Sequence, residues 1–211
     1  MRLTKFGHAC VRLETGAQVL VLDPGGFTEP EAVDGATAVL LTHEHPDHYD
    51  VERLRRTDAP IFTVAAVAER LRADAPDVAE RVTVVAPGED VDAGVPVHVV
   101  GERHAVIHPE LPGVDNSGFL LTVEGATVLH PGDALTVPDR PVDLLLLPVS
   151  APWLKLAECI DFARDVAAPR SVAIHDAIYS EVGLGLVGTM MGRFLGPREQ
   201  EYTRLTPGED L

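Results

Sequence analysis

The sequence predicts an α/β chain made of two β-sheets packed face to face, with helices on their outer sides. Three observations predict it. Short runs of strand length, alternating or wholly apolar, recur along the chain. Each half then adds segments of helical periodicity. No linker-like shift in composition or low-complexity stretch divides the 211 residues, so one domain over 1–211 is expected.

The elements follow in order. LTKFG, CVRLE and QVLVLD (ending at Asp23) read as strands separated by Gly-containing turns such as Thr15-Gly16, and PGGF after Asp23 reads as a loop. TAVLLT (Thr37 to Thr42) is a buried strand. VERLRR reads as a short helix that Asp50 can cap, PIFTV as a strand and AAVAERLRA as an amphipathic helix. The second half repeats this grammar: VTVV, VPVHVV, GFLLTV and ATVLH as strands, and VDLLLLPV as a strand buried on both faces. LKLAECIDFARDVA then reads as a helix, SVAIH as a strand and SEVGLGLVGTMMGRF as a helix weakened by glycine.

Composition narrows the function. The formal charge is −16, and the fifteen arginines and two lysines are scattered rather than striped, which argues against nucleic acid as a partner. No apolar run approaches the ~20 residues of a membrane span. The N-terminal stretch alternates and has no apolar signal core, and only Cys10 and Cys159 are present. A cytoplasmic protein with no disulfide framework is therefore expected.

The segment LLTHEHPDHYD packs His43, His45, Asp47 and His48 into six positions directly behind a strand. Histidines so crowded repel one another when charged and need partners when buried, so the cluster calls for a compensating positive charge. His43 and His45, spaced by two, project the same way from an extended segment, and Asp47 and His48 occupy the turn that Pro46 stiffens. Four neighbours from one hexapeptide suit two metal ions better than one tetrahedral zinc. Further donors lie at strand ends: His104 in GERHAVIH, Asp133 in HPGDA and His175 in SVAIHDA.

THEHPDH matches the His-x-His-x-Asp-His signature and resembles the metallo-β-lactamase fold superfamily. VLVLDPGG and FGHACV are similar to its branch of L-ascorbate-6-phosphate lactonase-like hydrolases, and the likeness runs from about residue 3 to 176. The resemblance implies a four-layer αββα sandwich, two mixed β-sheets flanked by helices, with the site at one edge between them. It implies a first metal on His43, His45 and His104, a second on Asp47, His48 and His175, and Asp133 bridging. His98 and His108 compete with His104 for the third place. His104 best fits the implied spacing to NSGFLL, and His108 stands next or meets the substrate. Asp23 and His8 are expected behind the ligands, as acceptor and orienting group, and His130 behind them or in the core.

Two such ions, zinc by preference with manganese, iron or nickel open, imply a metal-dependent hydrolase. A metal-bridging hydroxide would attack a small ester, lactone or phosphoester, with Asp47 moving a proton. Cys10 and Cys159 read as packed residues, and Ser117 lacks a nucleophile elbow. His108, Asn116 and Trp153, the last in LPVSAPWLK where relatives are glycine-rich, are candidates for substrate contact. Tyr179, Met190, Met191 and Arg193 are weaker ones. Rivals on the same ligands are a phosphodiesterase or nuclease, a mono-iron sulfur dioxygenase and a metal-binding protein without turnover. A glutathione thioesterase would need more chain than the roughly thirty-five residues after His175. A homo-oligomer is compatible with all of these.

Overall fold

The computed structural model describes residues 1–211. The first sheet runs β1 (Arg2–Lys5), β2 (Val11–Thr15), β3 (Gln18–Leu22), β4 (Ala38–Leu41), β5 (Ile61–Thr63) and β6 (Val82–Val84), in that spatial order. Its first three strands form an antiparallel meander, and β3 to β6 pair in parallel. The second sheet is laid out the same way. An antiparallel β7 (Asp90–Asp92), β8 (Pro96–Val100), β9 (Gly118–Val123) and β10 (Ala126–His130) lead into a parallel β11 (Leu144–Pro148), β12 (Arg170–Ile174) and β13 (Glu201–Thr203).

Period-two alternation explains the layers. Leu40 of β4 faces the second sheet, as Leu144 and Leu146 of β11 face the first; Phe119, Leu121, Val172 and Ile174 complete this buried inter-sheet core. Val39 and Leu41 point the other way, onto α1 (Val51–Leu54), α2 (Ala65–Asp74) and α3 (Pro76–Ala79). Leu145 and Leu147 likewise pack on α4 (Leu156–Val166) and α5 (Glu181–Leu195). The result is the four-layer αββα sandwich. Wholly apolar runs such as LLLLP are needed where a strand is covered on both faces. No helix is long and apolar enough to cross a membrane.

Three elements differ from expectation. VTVV, read with the second half, is β6 of the first sheet, where Val82 pairs with Ile61. β7 is an acidic three-residue edge strand whose sequence carries no apolar signal, and β13 is as short. Asp50 does cap α1, accepting from the Arg53 N–H.

Strand direction positions the site. β1, β3, β4, β8, β10, β11 and β12 all run the same way within their sheets, so the loops after them share one edge. Two backbone bonds tie the sheets there: Ser117 N–H to the Thr42 carbonyl at 3.1 Å and His175 N–H to the His8 carbonyl at 3.0 Å.

Phe119 has no exposed surface and sits centrally in the inter-sheet core. Phe119→Ala is expected to lower unfolding stability by about 3–5 kcal/mol in urea titrations. A change below about 1 kcal/mol would contradict the assigned core.

Candidate metal centre

Seven side chains from four loops converge at the shared edge. His43, His45, Asp47 and His48 follow β4; His104 follows β8, Asp133 follows β10 and His175 follows β12. Two groups have their donor atoms within 4.8 Å of one another: His43, His45, His104 and Asp133, and His8, Asp47, His48 and His175. Asp133 joins them. Its Oδ2 lies 3.3 Å from His104 Nε2 and 3.1 Å from His175 Nε2, and its Oδ1 lies 3.0 Å from His48 Nε2.

The hydrogen bonds assign each imidazole. His48 Nδ1 donates to Asp23 Oδ2 at 2.7 Å, His104 Nδ1 to the Ala105 carbonyl at 2.5 Å and His175 Nδ1 to the Ser150 carbonyl at 2.5 Å. Each Nδ1 therefore carries a proton of its own. Each Nε2 is the nitrogen turned to the space between the clusters, where its lone pair is available once any second proton leaves. His43 follows suit. Thr42 Oγ1 donates to Asp23 Oδ2 and accepts from His43 Nδ1 at 2.9 Å, which leaves His43 Nε2 facing His45 Nδ1 at 3.0 Å. Asp23 thus serves His48 directly and His43 through Thr42, and Thr42 N–H donates to its other oxygen at 2.8 Å.

Four buried atoms here have no hydrogen-bond partner: Nε2 of His48, His104 and His175, and Oδ1 of Asp133. They approach one another without hydrogen-bond geometry, as lone pairs aimed at common points would. Leaving such atoms unpaired costs about 1–3 kcal/mol each. Imidazole and carboxylate donors pointing inward around unfilled lone pairs fit divalent cations.

Two further histidines hold no spare lone pair at the site. His8 Nδ1 accepts from Ala177 N–H at 3.3 Å, so its Nε2–H donates to Asp47 Oδ2 at 3.1 Å. His130 accepts from Gly132 N–H and donates to the Ala9 carbonyl. His98, half-buried, hydrogen-bonds Asp90 on β7. His108 is exposed and accepts from Glu110 N–H, at a cavity of about 410 Å³ that His104 and Leu111 also line.

Asn116 requires a correction. It is fully buried, its Nδ2 donates to the Pro131 carbonyl and its Oδ1 accepts from Asp133 N–H at 3.0 Å. Its amide braces the Asp133 turn, and with no exposed surface it does not reach a substrate in this arrangement. Met191, Met190 and Arg193 lie on α5, Met191 buried in the outer core.

The bare ligands are electrostatically coupled. Burial disfavours a charged His48, yet the Asp133 and Asp23 carboxylates outweigh it and hold its pKa well above 6.5. Burial likewise opposes His175, but the close Asp133 and Asp47 carboxylates raise it to about 9. His43 falls well below the ordinary value through burial and the neighbouring His48. For Asp133, burial alone would raise the carboxyl, but the charge of His48 and contacts from His104 and His175 hold it far below the usual range.

The loops are tightly constrained. His8, Asp23 and His175 adopt left-handed backbone with φ of 46°, 47° and 55°, at about 1–2 kcal/mol each for non-glycine residues. A Cβ on Gly25 would lie 1.9 Å from the Asp47 carbonyl oxygen, so only glycine lets these two loops pass. Lys5, 1% exposed, reaches across from β1 to Asp176 at 2.6 Å and to the Ala173 carbonyl. Arg204 contacts the other Asp176 oxygen. Sequence reasoning missed this pair, although a lysine inside a strand pattern was its visible signal.

Comparison with known proteins matches the chain, over residues 2–175, to the family model described as the beta-lactamase superfamily domain. Protein Rv0786c of Mycobacterium tuberculosis is 42% identical over 193 residues, covering 88% of this chain and 89% of its own length. A UPF0173 metal-dependent hydrolase of Methanosphaerula palustris is 32% identical over 191 residues, covering 83% of each. Among solved structures, Igni18, a metallo hydrolase of Ignicoccus hospitalis, superposes with a TM-score of 0.77 at 16% identity, over 100% of this chain and 97% of its own, and shares the fold.

Two outcomes are expected. Metal capture must displace protons from His48 and His175, so apparent affinity should fall as pH drops below about 9, by up to tenfold per unit for each proton released. Chelator competition between pH 9 and 7 checks this, and a flat profile contradicts it. Gly25→Ala should push the Asp47 loop aside and lower metal content, read by elemental analysis; full content would show that the loops have room to spare.

Proposed function

This chain belongs to the beta-lactamase superfamily, and on that premise we propose that it is a metal-dependent hydrolase of small uncharged esters or lactones that works with two divalent ions. The observation that carries this reading is the set of four buried, unpaired donor atoms between the two clusters. His43, His45 and His104 would hold the first ion, Asp47, His48 and His175 the second, and Asp133 both. Zinc suits the donors best, and manganese, iron and nickel share their preferences.

Bound ions of this kind bring the pKa of water towards neutrality and polarise a substrate oxygen. The protein's own residues do the rest. Asp23 and the Ser150 and Ala105 carbonyls keep the ring nitrogens in the ligating tautomer. Asp47 is the most accessible carboxylate of the set, and its place beside the ions assigns it the proton transfer. The hydrogen bond from His8 orients it and keeps it ionised between turnovers. No protein nucleophile competes. Both cysteines are buried, and burial raises the Cys10 thiol and pushes Cys159 to about 12. Ser117 donates to the Gly101 carbonyl.

Charge supports esters or lactones over phosphoesters. The cations of the neighbouring loops are already engaged by carboxylates: Arg53 by Asp50, Arg70 by Glu44, Arg103 by Asp115 and Arg204 by Asp176 and Glu181. None is left facing the cluster to receive a phosphate. The charge of −16 also speaks against nucleic acid. The same reading takes 1–211 as one domain, because the central core draws on both sheets.

Elemental analysis of wild type and His104→Ala tests it. About two zinc or manganese ions per chain, falling in the variant, are expected; one iron would favour the dioxygenase chemistry, and no metal would refute the reading. His43→Ala and Asp133→Ala should lose metal and ester hydrolysis together, while Cys10→Ala and Cys159→Ala keep both.

A further inference from the structure

Trp153, the only tryptophan of the chain, stands between the two clusters. Its indole Nε1–H donates to Asp133 Oδ2 at 3.0 Å. That oxygen is the one lying nearest His104 of the first cluster and His175 of the second. The ring meets both imidazoles edge to face, with centroids 5.8 Å from His104 and 6.3 Å from His175. Half-exposed, it forms the solvent side of an aspartate that is itself only 3% exposed.

We propose that Trp153 is a positioning residue for the shared aspartate: its indole N–H clamps Asp133 Oδ2 and so presents the carboxylate to both metal positions at once. The inference rests on the dinuclear reading above. Its chemical basis is the donor itself. An indole N–H has no lone pair and does not titrate in the physiological range, so it neither competes for a cation nor takes a proton. It occupies one lone pair of Oδ2, opposes protonation of the carboxyl and stops the two oxygens exchanging places by rotation. Oδ1, without any hydrogen-bond partner, stays turned towards His48.

The loop that carries the ring is built for this. Ser150 donates both its N–H and its Oγ–H to the His175 carbonyl, and its own carbonyl accepts from His175 Nδ1. Pro152 and the Leu154-to-Ala151 turn fix the next residues, and Leu154 anchors them in the outer core. One short connection after β11 therefore orients a ligand through Ser150 and the shared ligand through Trp153. Groups behind metal ligands typically change affinity by about 10–100-fold when removed.

Trp153→Phe keeps an aromatic wall and deletes the N–H. Zinc affinity, measured by competition with a chromophoric chelator, should weaken about 10–100-fold, while thermal unfolding of the metal-free variant stays close to wild type. In wild type, ultraviolet resonance Raman spectra of the single indole should report a hydrogen-bonded N–H with and without zinc. Metal-free Asp133→Ala should show a free one. This second measurement decides the matter if Trp153→Phe does not fold. Unchanged zinc affinity in Trp153→Phe, or a free indole N–H in zinc-loaded wild type, overturns the proposal and leaves the dinuclear reading standing. A wild type that takes up no zinc, manganese or iron overturns both.

Discussion

Nε2 of His48, His104 and His175 and Oδ1 of Asp133 are buried at one edge of the sandwich without a hydrogen-bond partner. Two sheets, four loops and a ring of outer hydrogen bonds are arranged so that these lone pairs point inward and stay there. An isolated chain would not tolerate that arrangement. Buried donors and acceptors normally find partners, and each histidine here has used its other nitrogen on a fixed acceptor behind it. The unsatisfied side is thus kept deliberately open to a cation.

Holding it open takes rigidity that the sheets alone do not supply. The three left-handed residues, His8, Asp23 and His175, each sit where a strand ends and a side chain must turn inward at once. Strain of this kind persists only where the surroundings over-determine it. Behind His8 and His175 the surroundings include the buried Lys5–Asp176 pair, which spans the two sheets close to both. A buried ion pair is a poor source of stability but a specific one, because either partner alone would be an uncompensated charge. Burial does lower the Lys5 ammonium, and Asp176 works against that shift.

The same geometry divides labour between protein and metal. Asp23 serves two histidines, Asp133 serves two clusters, and Asp47 remains the carboxylate with solvent access. Acidic groups outnumber cations across the chain. Locally the imbalance has a chemical use, since a set of converging carboxylates and imidazoles attracts divalent ions.

Much of this was legible in the residues. Period two in TAVLLT, GFLLTV and VDLLLLPV gave away strands and their double coverage, because strand geometry is local. The hexapeptide from His43 to His48 announced metal, because so many donors in one turn have no other economical use. Asp23, His104, Asp133 and His175 were nameable because each lies in the turn that follows a strand. What the sequence could not decide is everything set by contacts across the chain. The sheet that β6 joins depends on pairing with β5, and the choice among His98, His104 and His108 depends on which one the β8 loop carries inward. Asn116 changed from a candidate for substrate contact to a buried brace because its partners lie 15 and 17 residues away. The tautomers and the Trp153–Asp133 bond follow from side-chain orientations fixed only once both sheets are packed. Spacing names the donors; tertiary packing alone decides which lone pairs are left free.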